Sequence, residues 1–241
     1  MKIDIRNNRL IALIFRAASV VLCLAGLLDI TGAFGGTFSP NMLLFYTNQS
    51  NILVLVMFIM LLVKTVQDVA KNGINGSASY FERLSAIVML AISVTMLVFW
   101  LMLAPTIGGS VMGGANYLWT FSNLQLHLIT PLLMIVDFFV FAKPGKYKKA
   151  DIHFFACVPL AYLVQATILG FSGVVYMVRD GQNIYFPYFF MDYYNTKGWV
   201  ALYLVILVIF FLGLATAFYF LDKKRGIKAN AKESKTETDK T

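Results

Sequence analysis

A threonine and a histidine, each set in an apolar segment, are the residues best suited to chemistry in this chain. Thr47 lies in the polar run Tyr46–Asn51, and His127 ends a second polar run, Asn123–His127. A threonine hydroxyl becomes a useful nucleophile when a base removes its proton, and an imidazole titrates in the right range to do so. The two residues therefore predict a nucleophile–base pair, provided that the two runs meet in the fold.

Neighbouring polar side chains can support this pair. Asn51, one turn after Thr47, or Asn123, one turn before His127, can donate to an oxyanion or orient the imidazole. Ser50 is a rival nucleophile because it shares a helical face with Thr47. Apart from Asp29 and loop residues, the outer halves of the spans offer no acidic third member, so a dyad is favoured over a triad. Hydrogen bonding between membrane helices is the alternative role for these residues.

The elements that carry both residues are membrane spans. Of 241 residues, 59% are hydrophobic and 13% are charged. Six apolar runs are each long enough to cross the roughly 30 Å hydrocarbon core of a bilayer. They lie near residues 10–30, 43–63, 84–104, 117–142, 152–173 and 199–221. The sequence therefore predicts an all-α, polytopic membrane protein, with six transmembrane helices in one bundle over residues 1–221 and no soluble domain.

Basic residues fall almost entirely on one side of these spans. The termini and the second and fourth loops hold seventeen of the twenty Lys and Arg residues, whereas the outer loops hold only Arg179 and Lys197. The positive-inside rule places both termini in the cytoplasm. We expect a multi-pass protein of the plasma membrane with a disordered, basic tail at 222–241. Nucleic acid is not an expected partner, because no basic fold motif accompanies the net charge of +8.

Two further features of the spans carry predictions. Arg16 and Asp137 lie at comparable depths near the cytoplasmic side, which predicts a structural ion pair; separate snorkelling of each residue is the alternative. Pro131 cannot donate a hydrogen bond to the carbonyl of His127, so that carbonyl loses its helical partner and the helix is expected to kink.

The fifth loop is aromatic and lies on the outer side. Tyr185, Tyr188 and Arg179 can form the mouth of a substrate site, although an interfacial aromatic belt has the same composition. No metal or haem cofactor is expected, since haem usually takes a second axial ligand and zinc takes three or four ligands. His153, the only other histidine, lies at the opposite face from His127.

Three short motifs in this layout have counterparts in a known family. They are Tyr46–Asn51 in the second span, Leu126–Pro131 with Asp137 in the fourth, and Tyr185–Tyr188 with Asp192 in the fifth loop. Over roughly residues 8–221 the chain resembles the androgen-induced protein family of six-span membrane threonine hydrolases and its bacterial relatives. Animal members hydrolyse fatty acid esters of hydroxy fatty acids with a Thr and a His. The resemblance implies these roles for Thr47 and His127, and a related acyltransferase branch keeps acyl transfer open.

Two functions from different classes follow. The first is a membrane-embedded hydrolase, or acyltransferase, that acts on fatty acyl esters in the outer half of the bilayer, with a lipid substrate and no cofactor. The second is a non-enzymatic protein that binds or transports a lipid or small molecule. A transport path needs polar residues in both halves of the membrane. The inner half offers mainly Arg16 and Asp137, which favours a one-sided pocket.

Overall fold

Six long helices make up the protein, and each is long and apolar enough to cross a bilayer. The computed structural model describes residues 5–35, 39–107, 115–179 and 181–238. The helices are α1 (Arg9–Ile30), α2 (Tyr46–Asn72), α3 (Glu82–Thr106), α4 (Phe121–Phe141), α5 (Asp151–Phe171) and α6 (Trp199–Thr238). The predicted all-α six-span bundle is confirmed. An even number of spans returns both ends of the chain to the same side.

Helix α3 is the centre of the bundle. It contacts α2, α4, α5 and α6, and between Ser85 and Thr95 every residue except Ile87 is buried. Small side chains such as Ala86 and Ala91 on this helix allow its neighbours to approach closely, as is common between membrane helices. Two apolar cores result, one in the cytoplasmic half around Phe58 and Phe138, and one in the outer half around Tyr46 and Tyr162.

The two site helices begin later than their apolar runs predict. Residues Pro40–Leu44 form a separate 3-10 helix, and extended backbone at Phe45 and Thr120 precedes α2 and the α-helical start of α4. Thr47 is therefore the second residue of its helix. His127 lies six residues after Phe121, about 9 Å into its helix by helical rise.

An ion pair closes the cytoplasmic half of the bundle. Arg16 Nε donates to Asp137 Oδ1 at 2.7 Å, and Arg16 Nη2 donates to Oδ2 at 3.1 Å. Thr65 and the carbonyl of Ala78 accept the remaining guanidinium bonds. The predicted structural pair is confirmed, and snorkelling is excluded because Arg16 is only 1% exposed.

The last helix extends beyond the apolar run. The sequence predicts disorder from residue 222, but α6 continues to Thr238. Alanine, lysine and glutamate in this segment are good helix formers. Its start is also tied to the fourth loop, since the backbone N–H of Lys146 donates to Asp222 Oδ2 at 3.1 Å. The described part of the tail is thus an extension of the sixth span.

The fifth loop folds back over the outer end of the bundle. Residues Met177–Arg179 pair with Gln182–Ile184 in a short antiparallel hairpin, and a 3-10 helix follows at Phe189–Met191. Phe186, Phe190 and Met191 of this loop are buried in the outer core. The loop is therefore packed against α2, α5 and α6, which fixes the side chains that it presents to the site.

Candidate active site

Thr47 and His127 are brought together by the fold. The Oγ1 atom of Thr47 lies 3.3 Å from Nε2 of His127, across the contact between α2 and α4. This separation is slightly longer than the roughly 2.6–3.2 Å of a formed nucleophile–base hydrogen bond, as is common without substrate. The two polar runs that the sequence singled out thus meet in the fold, and the packing of α2 against α4 supplies the contact.

The second imidazole nitrogen orients the ring. His127 Nδ1 lies 3.0 Å from the backbone carbonyl oxygen of Asn123, and a carbonyl can only accept. The hydrogen-bond network therefore assigns the proton of the neutral ring to Nδ1. Nε2 is left with a lone pair directed at the hydroxyl of Thr47, which is the tautomer that a general base needs. The backbone of Asn123, rather than its side chain, performs the orienting role.

Two aromatic residues of α3 hold the histidine from the other side. The ring of Phe99 stacks on His127 with centroids 3.6 Å apart and planes at 23°. The indole N–H of Trp100 donates to the backbone carbonyl of His127 at 3.0 Å. The sequence analysis did not select these residues, although the carbonyl freed by Pro131 was a signal that a nearby donor was required.

Both sides of this contact are π-helical. Residues Phe99–Leu103 of α3 and Gln125–Ile129 of α4 each form a π-helical segment. Such segments are rare and are frequently found at functional sites. They widen the helical turn locally, which changes the direction in which the Phe99 and His127 side chains leave their helices.

Tyr188 of the fifth loop lies at the start of α2. Its hydroxyl interacts with the side chain and backbone of Thr47, the backbone of Tyr46 and the side chain of Tyr162. The first N–H groups of a helix have no partner within the helix, so this is a place where hydrogen-bond donors converge. Burial raises the pKa of Tyr188 above its usual value, although the bonds from Thr47 act in the opposite direction.

Ser50 and Asn51 make their hydrogen bonds to neighbouring helices rather than to the imidazole of His127. Ser50 Oγ lies 2.6 Å from Thr95 Oγ1 on α3. Asn51 donates to the carbonyls of Thr47 and Leu126, at 2.7 and 3.1 Å, and so ties α2 to α4. In this geometry Ser50 does not contact His127 as a nucleophile must.

The Asn123 amide is also occupied. Its Nδ2 donates to the carbonyl of Leu118 at 2.9 Å, which joins the start of α4 to the preceding helical turn. Both N–H groups of the Asn51 amide are therefore used within the fold, and one of the two N–H groups of Asn123 is.

A cavity of about 400 Å³ opens beside the pair. Thr47 and His127 line it, together with Tyr188 and Arg179, two of the three residues expected at a substrate mouth. Tyr185, the third, does not line it and instead packs edge-on against Tyr194. The other walls are mainly apolar and come from α3 and from the segment before α2.

A second, narrower pocket of about 40 Å³ adjoins this cavity at Thr47. Its walls are almost entirely apolar and include Val94, Phe211 and Leu207. Thr47 thus lies where a wide cavity meets a narrow apolar one.

Metal coordination would require several ligands in one place. Within the described ranges, no three His, Cys, Asp or Glu side chains cluster in a way that can hold an ion.

The chain matches no family model, no curated protein and no solved structure.

Proposed function

We propose that this protein is a membrane-embedded hydrolase of fatty acyl esters in which Thr47 is the nucleophile and His127 is the general base. The observation that carries the proposal is the 3.3 Å approach of Thr47 Oγ1 to His127 Nε2 at the wall of a largely apolar cavity. The assigned tautomer supports it, because the ring nitrogen facing the hydroxyl is the unprotonated one.

The reaction proceeds through an acyl-enzyme intermediate. Nε2 of His127 takes the hydroxyl proton as Thr47 Oγ1 bonds to the carbonyl carbon of the ester. The resulting tetrahedral species collapses by breaking the carbon–oxygen bond to the alcohol, which leaves with the proton from His127. Water then attacks the acyl-threonine, with His127 again as base, and releases the fatty acid. An alcohol in place of water gives acyl transfer by the same steps.

The start of α2 supplies the charge stabilisation that this reaction needs. Thr47 lies in the first turn of this helix, and the hydroxyl of Tyr188 interacts with its side chain and backbone. Donors held in place around a developing oxyanion are usually the largest contribution to acyl-transfer catalysis. Tyr188 therefore takes the donor role that the sequence analysis gave to Asn51 or Asn123.

The shape of the site supports a lipid ester as substrate. The wide cavity and the narrow apolar pocket meet at Thr47, so an ester bond placed there can direct its two arms into different spaces. We place the site in the outer half of the plasma membrane, following the distribution of basic residues.

Transport is the less favoured alternative. A permeation path past the inner half would have to cross the ion pair of Arg16 with Asp137, whose members are 1% and 2% exposed. Tyr80 and Phe141 also lie against the guanidinium, 5.6 and 5.3 Å from ring centroid to Cζ. Polar access from the outer side alone suits an enzyme pocket better than a channel.

The proposal is tested by active-site labelling of the purified protein in lipid nanodiscs. A fluorophosphonate probe is expected to modify Thr47, as located by peptide mass spectrometry, and to block hydrolysis of a fatty acyl ester. Thr47→Ser retains labelling and Thr47→Ala abolishes it. Undiminished labelling and turnover of the folded Thr47→Ala protein would remove Thr47 as the nucleophile.

A further inference from the structure

A second large cavity lies at the opposite, cytoplasmic end of the bundle. It has a volume of about 640 Å³ and is enclosed by the turn before α1, the loop after α4 and the extension of α6. Arg6, Lys143, Lys146 and Lys223 line it, and the described residues of the lining include no carboxylate side chain. This cavity is remote from Thr47 and His127, so its role is independent of the function proposed above.

The lysine ammonium groups are available to a ligand. Among the described residues, the salt bridges are Arg16–Asp137, Lys64–Asp68, Arg83–Asp151 and Arg225–Asp222. None of them involves the three lysines of the cavity, whose side chains are exposed. Several like charges around one concave surface repel each other unless an anion neutralises them.

The carboxylate next to the cavity is directed elsewhere. Asp222 is buried; its Oδ2 accepts from the backbone N–H of Lys146, and its Oδ1 lies 3.6 Å from Arg225 Nη1. Arg225 in turn donates to the carbonyl of Phe139 at 2.9 Å. These contacts attach the fourth loop to α6, and within the described part of the chain they leave the three lysines of the cavity without a carboxylate partner.

The close approach of two glycines fixes the cavity wall. A Cβ atom added to Gly226 would lie 2.6 Å from the Cα of Gly145, so the loop and α6 touch through their backbones. Gly145 also has a φ of +73°, which side chains rarely adopt. The wall is therefore a packed feature of the fold rather than a chance arrangement of long side chains.

Apolar residues beside the charges indicate the kind of anion. Phe141, Tyr147 and Ile227 line the same cavity. Ile227 lies one helical turn after Lys223 and is 62% exposed. The cavity borders the cytoplasmic ends of two spans, where the headgroups of a bilayer lie. Basic pockets between helices at this level suit lipid phosphates.

We infer that this cavity binds the headgroup of an anionic phospholipid from the cytoplasmic leaflet, with Lys143, Lys146 and Lys223 around the phosphate. The phosphate takes charge-assisted hydrogen bonds from the ammonium groups. The glycerol backbone and the first methylenes of the acyl chains lie against Phe141 and Ile227. The bound lipid joins the fourth loop to the extension of α6.

The test is native mass spectrometry of the full chain titrated with phosphatidylglycerol or phosphatidylcholine. The wild-type protein is expected to retain one phosphatidylglycerol at least tenfold more tightly than phosphatidylcholine. The triple variant Lys143→Gln, Lys146→Gln, Lys223→Gln loses that preference. The control triple variant Lys148→Gln, Lys149→Gln, Lys224→Gln removes the same charge from residues outside the cavity lining. It is expected to keep the preference for phosphatidylglycerol. Equal loss in both triples would overturn the inference.

A cavity-filling variant and a competition experiment test the same site if the triple glutamine variant folds poorly. Ala229→Trp fills the cavity without changing its charge and is expected to abolish the preference, whereas unchanged binding would show that the cavity is not the site. Glycerol 3-phosphate as competitor distinguishes a lipid from a free phosphate. Competition at the concentration at which phosphatidylglycerol binds would overturn a lipid as the ligand.

Discussion

The indole N–H of Trp100 donates a 3.0 Å hydrogen bond to the backbone carbonyl of His127. Pro131, four residues after His127, has no N–H with which to fill that position in the helix. The donor that the helix lacks thus comes from α3, and the bond fixes the backbone that carries the candidate base. Because Phe99, the residue before Trp100, stacks on the imidazole ring, α3 positions both the backbone and the side chain of His127.

Removal of the Trp100 bond should weaken both the fold and the reaction. Trp100→Phe leaves a part-buried carbonyl without a partner, and we expect a loss of about 1–3 kcal/mol in stability together with slower ester hydrolysis. Trp119→Phe is the matched control, because it makes the same substitution at a nearby tryptophan that is 66% exposed. The two indole rings lie 6.4 Å apart. Thermal unfolding in detergent and turnover of a chromogenic ester measure the two effects. Equal behaviour of the two variants would contradict the structural role of this bond.

His127→Ala should abolish hydrolysis and probe labelling, because Thr47 then has no base within reach. Free imidazole added to this variant is expected to restore part of the activity, since the site opens into a cavity of about 400 Å³ that can admit it. Ser50→Ala is the control, because its Oγ contacts Thr95 rather than His127. Full activity of folded His127→Ala without imidazole would remove His127 as the base.

Tyr188→Phe should lower kcat with little effect on labelling stoichiometry. Loss of one donor to an oxyanion costs about a hundredfold or more in related chemistry. Burial raises the pKa of Tyr188, so its hydroxyl keeps its proton, and its capacity to donate, at every pH below the usual tyrosine value of about 10. Deprotonation of Tyr188 should therefore not lower the rate of ester hydrolysis by the wild-type protein at any pH up to about 10. Tyr185→Phe, which lies outside the cavity lining, should leave kcat unchanged.

The Arg16–Asp137 pair should matter for stability rather than for chemistry. Either Arg16→Ala or Asp137→Ala leaves a buried charge without its partner, at a cost of about 3–5 kcal/mol. The double variant Arg16→Met, Asp137→Leu removes both charges and should recover much of that loss. Lys64→Ala breaks a pair whose lysine side chain is 42% exposed and should cost less than about 1 kcal/mol. Denaturation midpoints rank the four variants. A double variant that loses as much stability as the two single variants together would argue against coupling between Arg16 and Asp137.

The sequence by itself determined the class of fold, and it predicted the orientation of the spans and the two residues at the centre of the proposed site. Apolar runs of bilayer length predict six helices because lipid offers the backbone no hydrogen-bond partner. A charged pair at equal depth, Arg16 and Asp137, was predictable because neither residue is stable alone in hydrocarbon. Thr47 and His127 were found because polar side chains are rare in such runs.

Only the tertiary structure decided how those residues are used. Breaks at Phe45 and Thr120 and the two π-helical segments depend on packing between helices, which local sequence patterns do not encode. The roles of Phe99, Trp100 and Tyr188 come from segments 50 to 140 residues distant from Thr47 along the chain. Spacing along one helix showed that Ser50, Asn51 and Asn123 lay near the pair. It could not show that their hydrogen bonds are taken by neighbouring helices, because those partners are set by the assembly of the bundle.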